Sequence, residues 1–103
     1  MQQGNNLLIS NFDRTYERGR EMIAVVYITE RYNYTPVEGG YYETVVAEGN
    51  RERVRAAVAR ALDYAREHSL RVQVNNPHVR EDIAAGRLDV SGLEVVDDVR
   101  RAI

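Results

Sequence analysis

Apolar and polar positions fall into a few clear patterns along the chain. Met22-Ile23-Ala24-Val25-Val26-Tyr27-Ile28 is apolar at odd and even positions alike and rich in β-branched residues. That pattern predicts a strand buried on both faces, or central in its sheet. Tyr41 to Ala47 reads as its return strand. Between them, Thr35-Pro36-Val37-Glu38-Gly39-Gly40 has the residues of a turn, since Pro fixes φ and the Gly pair permits positive φ. The two strands are expected to form a long hairpin.

Helical spacing takes over after Gly49. Asn50 is a good N-cap, because its side-chain oxygen can accept an orphan backbone N–H. From Arg51 to His68, Val54, Ala57, Val58, Ala61, Leu62 and Ala65 recur every three or four residues and form one stripe. The stripe is mostly Ala, so the helix can sit close to a sheet. Arg53, Arg60, Asp63 and Glu67 fall on the other side. Leu70, Val72 and Val74 alternate as a short third strand, ended by Asn75-Asn76-Pro77. Pro77 suits the first position of a second helix reaching about Ala85, with Gly86 in the left-handed position beyond it. Ser91-Gly92-Leu93-Glu94 has capping-box spacing, and Leu93, Val96, Val99 and Ile103 mark a terminal helix face. A strand through 88–96 is the rival reading.

At the other end, residues 1–21 read as an N-terminal arm, and 22–103 as a single domain. Leu7, Leu8, Ile9 and Phe12 form an apolar cluster too short for a helix period, suited to an edge strand or a docking segment. The expected fold is α+β: a small ββαβαα sandwich with a three-stranded, mainly antiparallel sheet. Its order is 2-1-3, which puts the doubly apolar strand in the centre, and helices cover one face.

Composition narrows the chemistry. The chain has 103 residues and no Cys, so thiolate nucleophiles, disulfides and zinc-finger sites are excluded. All 14 of its Lys-plus-Arg cations are Arg, which removes Schiff-base and P-loop lysines. A net charge of −2 argues against long nucleic acid, whose binding needs excess positive charge. The longest apolar run is far short of the roughly 20 residues that span a bilayer, and residues 1–21 lack a signal-peptide core, so a cytoplasmic, membrane-free protein is expected. No P-loop or dinucleotide-binding glycine motif occurs.

Few constellations could carry catalysis. His68, at a helix end, complements the helix dipole. His78 with Glu81 and Asp82 shares one helix face and could hold a divalent metal, but three ligands from one short helix is a common coincidence. No metal or cofactor is therefore expected. The aromatic pattern is more informative. Tyr27, Tyr32, Tyr34, Tyr41 and Tyr42 crowd the expected hairpin, beside Arg31. Tyr pairs are ordinary sheet stabilisers, yet Tyr and Arg also dominate binding hot spots and can stack on nucleobases. The acidic stretch from Glu81 to Asp98 supplies a second candidate surface at Glu94, Asp97 and Asp98.

Residues 29–43, Thr-Glu-Arg-Tyr-Asn-Tyr-Thr-Pro-Val-Glu-Gly-Gly-Tyr-Tyr-Glu following an apolar strand, resemble hairpins in small phage-type accessory proteins. The resemblance implies a class that acts by binding, as inhibitors of host defence complexes or sequesterers of nucleotide signals. The leading expectation is a non-enzymatic, phage-encoded inhibitor docking on a bacterial defence protein of CRISPR type. Its contact residues would be Arg31, Tyr32, Tyr34, Tyr41, Tyr42, Glu94, Asp97 and Asp98, and a homodimer sharing a sheet edge or helix face is expected. The alternatives are a nucleotide or small-ligand binder and a small metal-dependent enzyme.

Overall fold

The structure is a computed structural model, and it describes residues 6–11, 22–29, 41–47 and 49–96. Its elements are β1 (Asn6–Asn11), β2 (Met22–Thr29), β3 (Tyr41–Val46), α1 (Arg51–His68), β4 (Arg71–Asn75), α2 (Pro77–Ala84) and β5 (Glu94–Val96). The strands form one sheet of order β3-β2-β1-β4-β5. Every neighbouring pair is parallel. This corrects the expected three-stranded, mainly antiparallel sheet of order 2-1-3.

The hairpin is the first point of difference. Ala24 registers with Tyr41 and Thr29 with Val46, so β2 and β3 run the same way, and the Ala47 N–H donates to the Thr29 carbonyl at 2.7 Å. Parallel neighbours cannot be joined by a tight turn. The Pro36 and Gly39-Gly40 punctuation lies outside the described residues. The second difference is β1. Asn6–Asn11, assigned by its sequence to the arm, is the central strand, paired with β2 on one side and β4 on the other. Leu7, Leu8 and Ile9 are all fully buried, as consecutive apolar residues are in a strand covered on both faces.

Alternation divides the sheet. Leu7, Ile9, Ala24, Val26, Ile28, Val45, Val72 and Val74 share the face that meets the helices. Against them α1 packs Val54, Ala57, Val58, Ala61, Leu62 and Ala65, the same stripe its spacing predicts. The opposite face carries Leu8, Val25, Tyr27 and Gln73, each no more than 1% exposed. Tyr27, one of the tyrosines that crowd the expected hairpin in the sequence, is thus a core residue.

Local signals place the helix ends. Asn50 and Asn76 cap α1 and α2, accepting from Arg53 N–H at 3.1 Å and Val79 N–H at 3.0 Å. Pro77 opens α2 at its first turn, and Gly86 sits beyond its end with φ +80°. The terminal helix expected from Leu93 is corrected within the described residues: Glu94–Val96 is a strand, registered Arg71↔Glu94 to Gln73↔Val96. The β-branched Val95 and Val96 suit that pairing better than a helix turn. Residues 97–103, which hold the rest of the expected helix, lie outside the described residues.

If β1 is the central strand, deleting residues 1–11 abolishes cooperative urea unfolding of the remaining chain. A truncated protein that still melts in one sharp, sigmoidal transition would show instead that 22–103 folds alone. Leu8→Asp, placing a charge on a fully buried position, is expected to be equally disruptive.

Candidate functional site

In a parallel sheet every strand ends at the same edge, and every helix that follows a strand begins there. Here that edge is hollowed into a cleft of about 430 Å³. Asn11 and Ile28 reach it from the ends of β1 and β2, and Ala47 and Gly49 from the segment after β3. Asn50, Arg51 and Val54 come from the start of α1, and Asn76, Pro77, His78 and Asp82 from α2 and its cap. Gly49 has φ +77°, a conformation that L side chains rarely adopt, and nothing stands within 4 Å of where a Cβ would be. Strain rather than crowding favours glycine at this bend.

The cleft lies beside the point where the order turns. From β1 the sheet grows through β2 to β3 on one side, and the chain then crosses over α1 to β4 on the other side of β1. In open parallel sheets such a switch leaves a crevice outside the carboxyl ends of the strands, where ligands bind. The two strands that flank the switch are tied together at that edge. Asn76 Nδ2 donates to Asn11 Oδ1 at 2.8 Å, while Asn76 Oδ1 caps α2. Asn76 is 5% exposed and both ends of its carboxamide are engaged, so its orientation is set. Both helix starts carry partial positive charge and orphan amides.

Charge in the cleft wall is organised around Asp82, a carboxylate 3% exposed. Arg55 grips it with Nε at 3.2 Å and Nη2 at 3.4 Å, and Arg87 Nη1 donates at 3.1 Å. Arg51 Nη2 stands 3.6 Å away and donates to Glu81 at 2.6 Å. Burial pushes the Asp82 carboxyl up, but the Arg55 hydrogen bond and charge, the Arg87 hydrogen bond and the Arg51 charge together hold it below its ordinary value. Glu81 is lowered chiefly by its hydrogen bond from Arg51. The ion cluster ties α2 to α1.

The sequence-predicted residues are distributed differently. Arg31, Tyr32, Tyr34, Asp97 and Asp98 lie outside the described residues. Tyr41 and Tyr42 begin β3, in register with Ala24 and Val25, and their side chains are outside what is described. Glu94 is exposed on β5, the last strand of the sheet and the far side of β4 from the cleft. His78 does line the cleft, but Glu81 and Asp82 are committed to arginines, and among the described residues no group of three His, Asp or Glu side chains is placed to hold a metal. His68 caps its own helix, its Nδ1 3.0 Å from the Tyr64 carbonyl oxygen and its ring stacked on Tyr64 at 4.0 Å. Asn11, Asn50, Asn76 and Arg51 were not singled out by sequence reasoning as site residues. The available signal was Asn followed by a helix start in two places, Asn50-Arg51 and Asn76-Pro77, each after a strand.

No protein-family model matches the chain, and no curated protein or solved structure matches it either. No helix among the described residues is long and apolar enough to cross a membrane.

The Asp82 cluster makes two measurable statements. Asp82→Asn is expected to lower stability by about 2 kcal/mol in urea titrations, the scale of hydrogen bonds to charged groups. Because the folded carboxyl lies below its unfolded value, its contribution is present above the ordinary carboxylate pKa of about 3.9 and is lost as pH falls below it. The stability difference between wild type and Asp82→Asn should therefore be constant at neutral pH and shrink below about pH 4. A difference that persists unchanged to pH 2 overturns the assignment.

Proposed function

We propose that the protein is a small-ligand-binding module that holds a nucleotide or a nucleotide-like molecule in the cleft at the carboxyl edge of its sheet. The observation that carries this reading is the position of the cleft: beside the turning point of a parallel sheet, at the starts of two helices. Its volume falls in the range of about 300–1,000 Å³ usual for ligand sites. Its walls have the usual mixture as well. Ile28, Ala47, Val54 and Pro77 offer apolar surface to a flat ring, and the carboxamides of Asn11 and Asn50 offer donors and acceptors to its edge.

The glycine fingerprint of dinucleotide sites is absent after β1, where Asn11 is followed by Phe12-Asp13-Arg14. A single nucleotide unit therefore suits the cleft better than a dinucleotide. The reading of the protein as a docking inhibitor drew on a tyrosine-bearing hairpin. With β2 and β3 parallel, that ribbon is not formed by the strands that were to build it, and the cleft supports the small-ligand reading instead.

A thermal-shift screen with mononucleotides tests the proposal. A ligand at 100 times its Kd stabilises the native state by about 2.7 kcal/mol, enough to raise Tm by roughly 10 °C in a domain of this size. His78→Trp, which fills the cleft from an exposed position, should abolish the shift without lowering the unliganded Tm. No shift with any nucleotide, or a shift indifferent to His78→Trp, overturns the proposal.

A further inference from the structure

Among the described residues, Arg51 is the one guanidinium that both lines the cleft and is held by an exposed partner. Its side chain is 46% exposed and donates to Glu81 Oε1 at 2.6 Å, and the Glu81 side chain is 62% exposed. Ion pairs this exposed contribute little, because water solvates both ends and ordering two long side chains costs entropy. Asp82 does not need Arg51, since Arg55 and Arg87 supply it with direct hydrogen bonds while Arg51 stays at 3.6 Å. Arg51 can therefore turn toward the cleft without stranding a buried charge. Among the described residues the cluster also has more cations than anions: Arg51, Arg55 and Arg87 pair with Glu81 and Asp82.

We propose that Arg51 is the receptor for the phosphate of the bound nucleotide, and that Glu81 is the internal anion this phosphate displaces. The proposal rests on the cleft reading above and deepens it by naming the group recognised. A guanidinium fork meets a phosphate with two parallel hydrogen bonds, a stronger pairing than its single contact to one Glu81 oxygen. Arg51 is also the first residue of α1, whose start carries the partial positive charge that favours an anion nearby. Glu81 then acts as a competitor that tunes affinity and favours ligands whose charge exceeds that of one carboxylate.

Calorimetric titration of the full chain tests this with the 5′-monophosphates of adenosine, guanosine, cytidine and uridine and with the four nucleosides. At least one nucleotide should bind about tenfold tighter than its nucleoside, the scale of one charged hydrogen-bonding partner. Arg51→Gln should erase that difference and leave nucleoside binding in place, and Arg51→Lys should retain part of it. Glu81→Gln should tighten nucleotide binding and leave nucleoside binding unchanged. Circular dichroism melts check that each variant is folded. Nucleotides and nucleosides binding alike, or a phosphate preference that survives Arg51→Gln, overturns the role of Arg51 while the cleft reading stands. Binding of neither class overturns both.

Discussion

The burial of β1 between β2 and β4 is the constraint from which the rest of the molecule follows. A strand with no free edge and no exposed face must be apolar on both sides, and Leu7, Leu8 and Ile9 meet that demand with three consecutive residues. Its polar ends are satisfied in place: Arg71 Nε donates to Asn6 Oδ1 at 3.0 Å, and Asn76 donates to Asn11. Because both neighbours run parallel to it, all strand ends gather at one edge, the helices start there, and their caps fall around a common hollow. The cleft is a consequence of strand direction before it is a matter of side chains.

Much of this was legible in the sequence where the signal is local. The α1 stripe, its Asn50 cap, Pro77 at the start of α2 and Gly86 beyond its end are each set by neighbours within a few residues, and the structure places them where spacing puts them. Strand direction is a different kind of information. The doubly apolar run Met22–Ile28 is a signature of a buried parallel strand, yet Pro36 and Gly39-Gly40 carry the opposite local message, a turn between antiparallel strands. In the structure β2 and β3 are parallel neighbours, so the local turn signal does not set their direction. Leu7-Leu8-Ile9 is so short, and so flanked by Asn and Ser, that its central place shows only when β2 and β4 are set against it. At Leu93–Val96 the capping-box pattern and the strand pattern overlap, and pairing with β4 selects the strand.

The candidate site was less legible still, for a physical reason. Tyrosines advertise themselves by type and clustering. The cleft instead draws on Asn11, Asn50, Arg51 and Asn76, common residues that matter only because four separate segments end together. Asn11 and Asn76 are hydrogen-bonded across 65 positions of sequence, a contact with no periodic trace in the chain. His78, Glu81 and Asp82, which do share the helix face their spacing predicts, are diverted: arginines from α1 and from beyond α2 take the carboxylates, turning a metal-like pattern into an interhelical clamp.

Arg66 has a mechanical consequence. From the last turn of α1 it donates Nε to the Ser91 carbonyl at 2.8 Å and Nη2 to the Asp89 carbonyl, so one guanidinium holds both ends of the short bend that leads into β5. Asp89 in turn accepts from the Ser91 N–H at 2.9 Å, which stiffens the bend from within. Tension transmitted from α2 toward β5 would meet this rivet before it reached the three-residue strand. The bend that feeds β5 is thus fastened to the helical layer as well as to its strand.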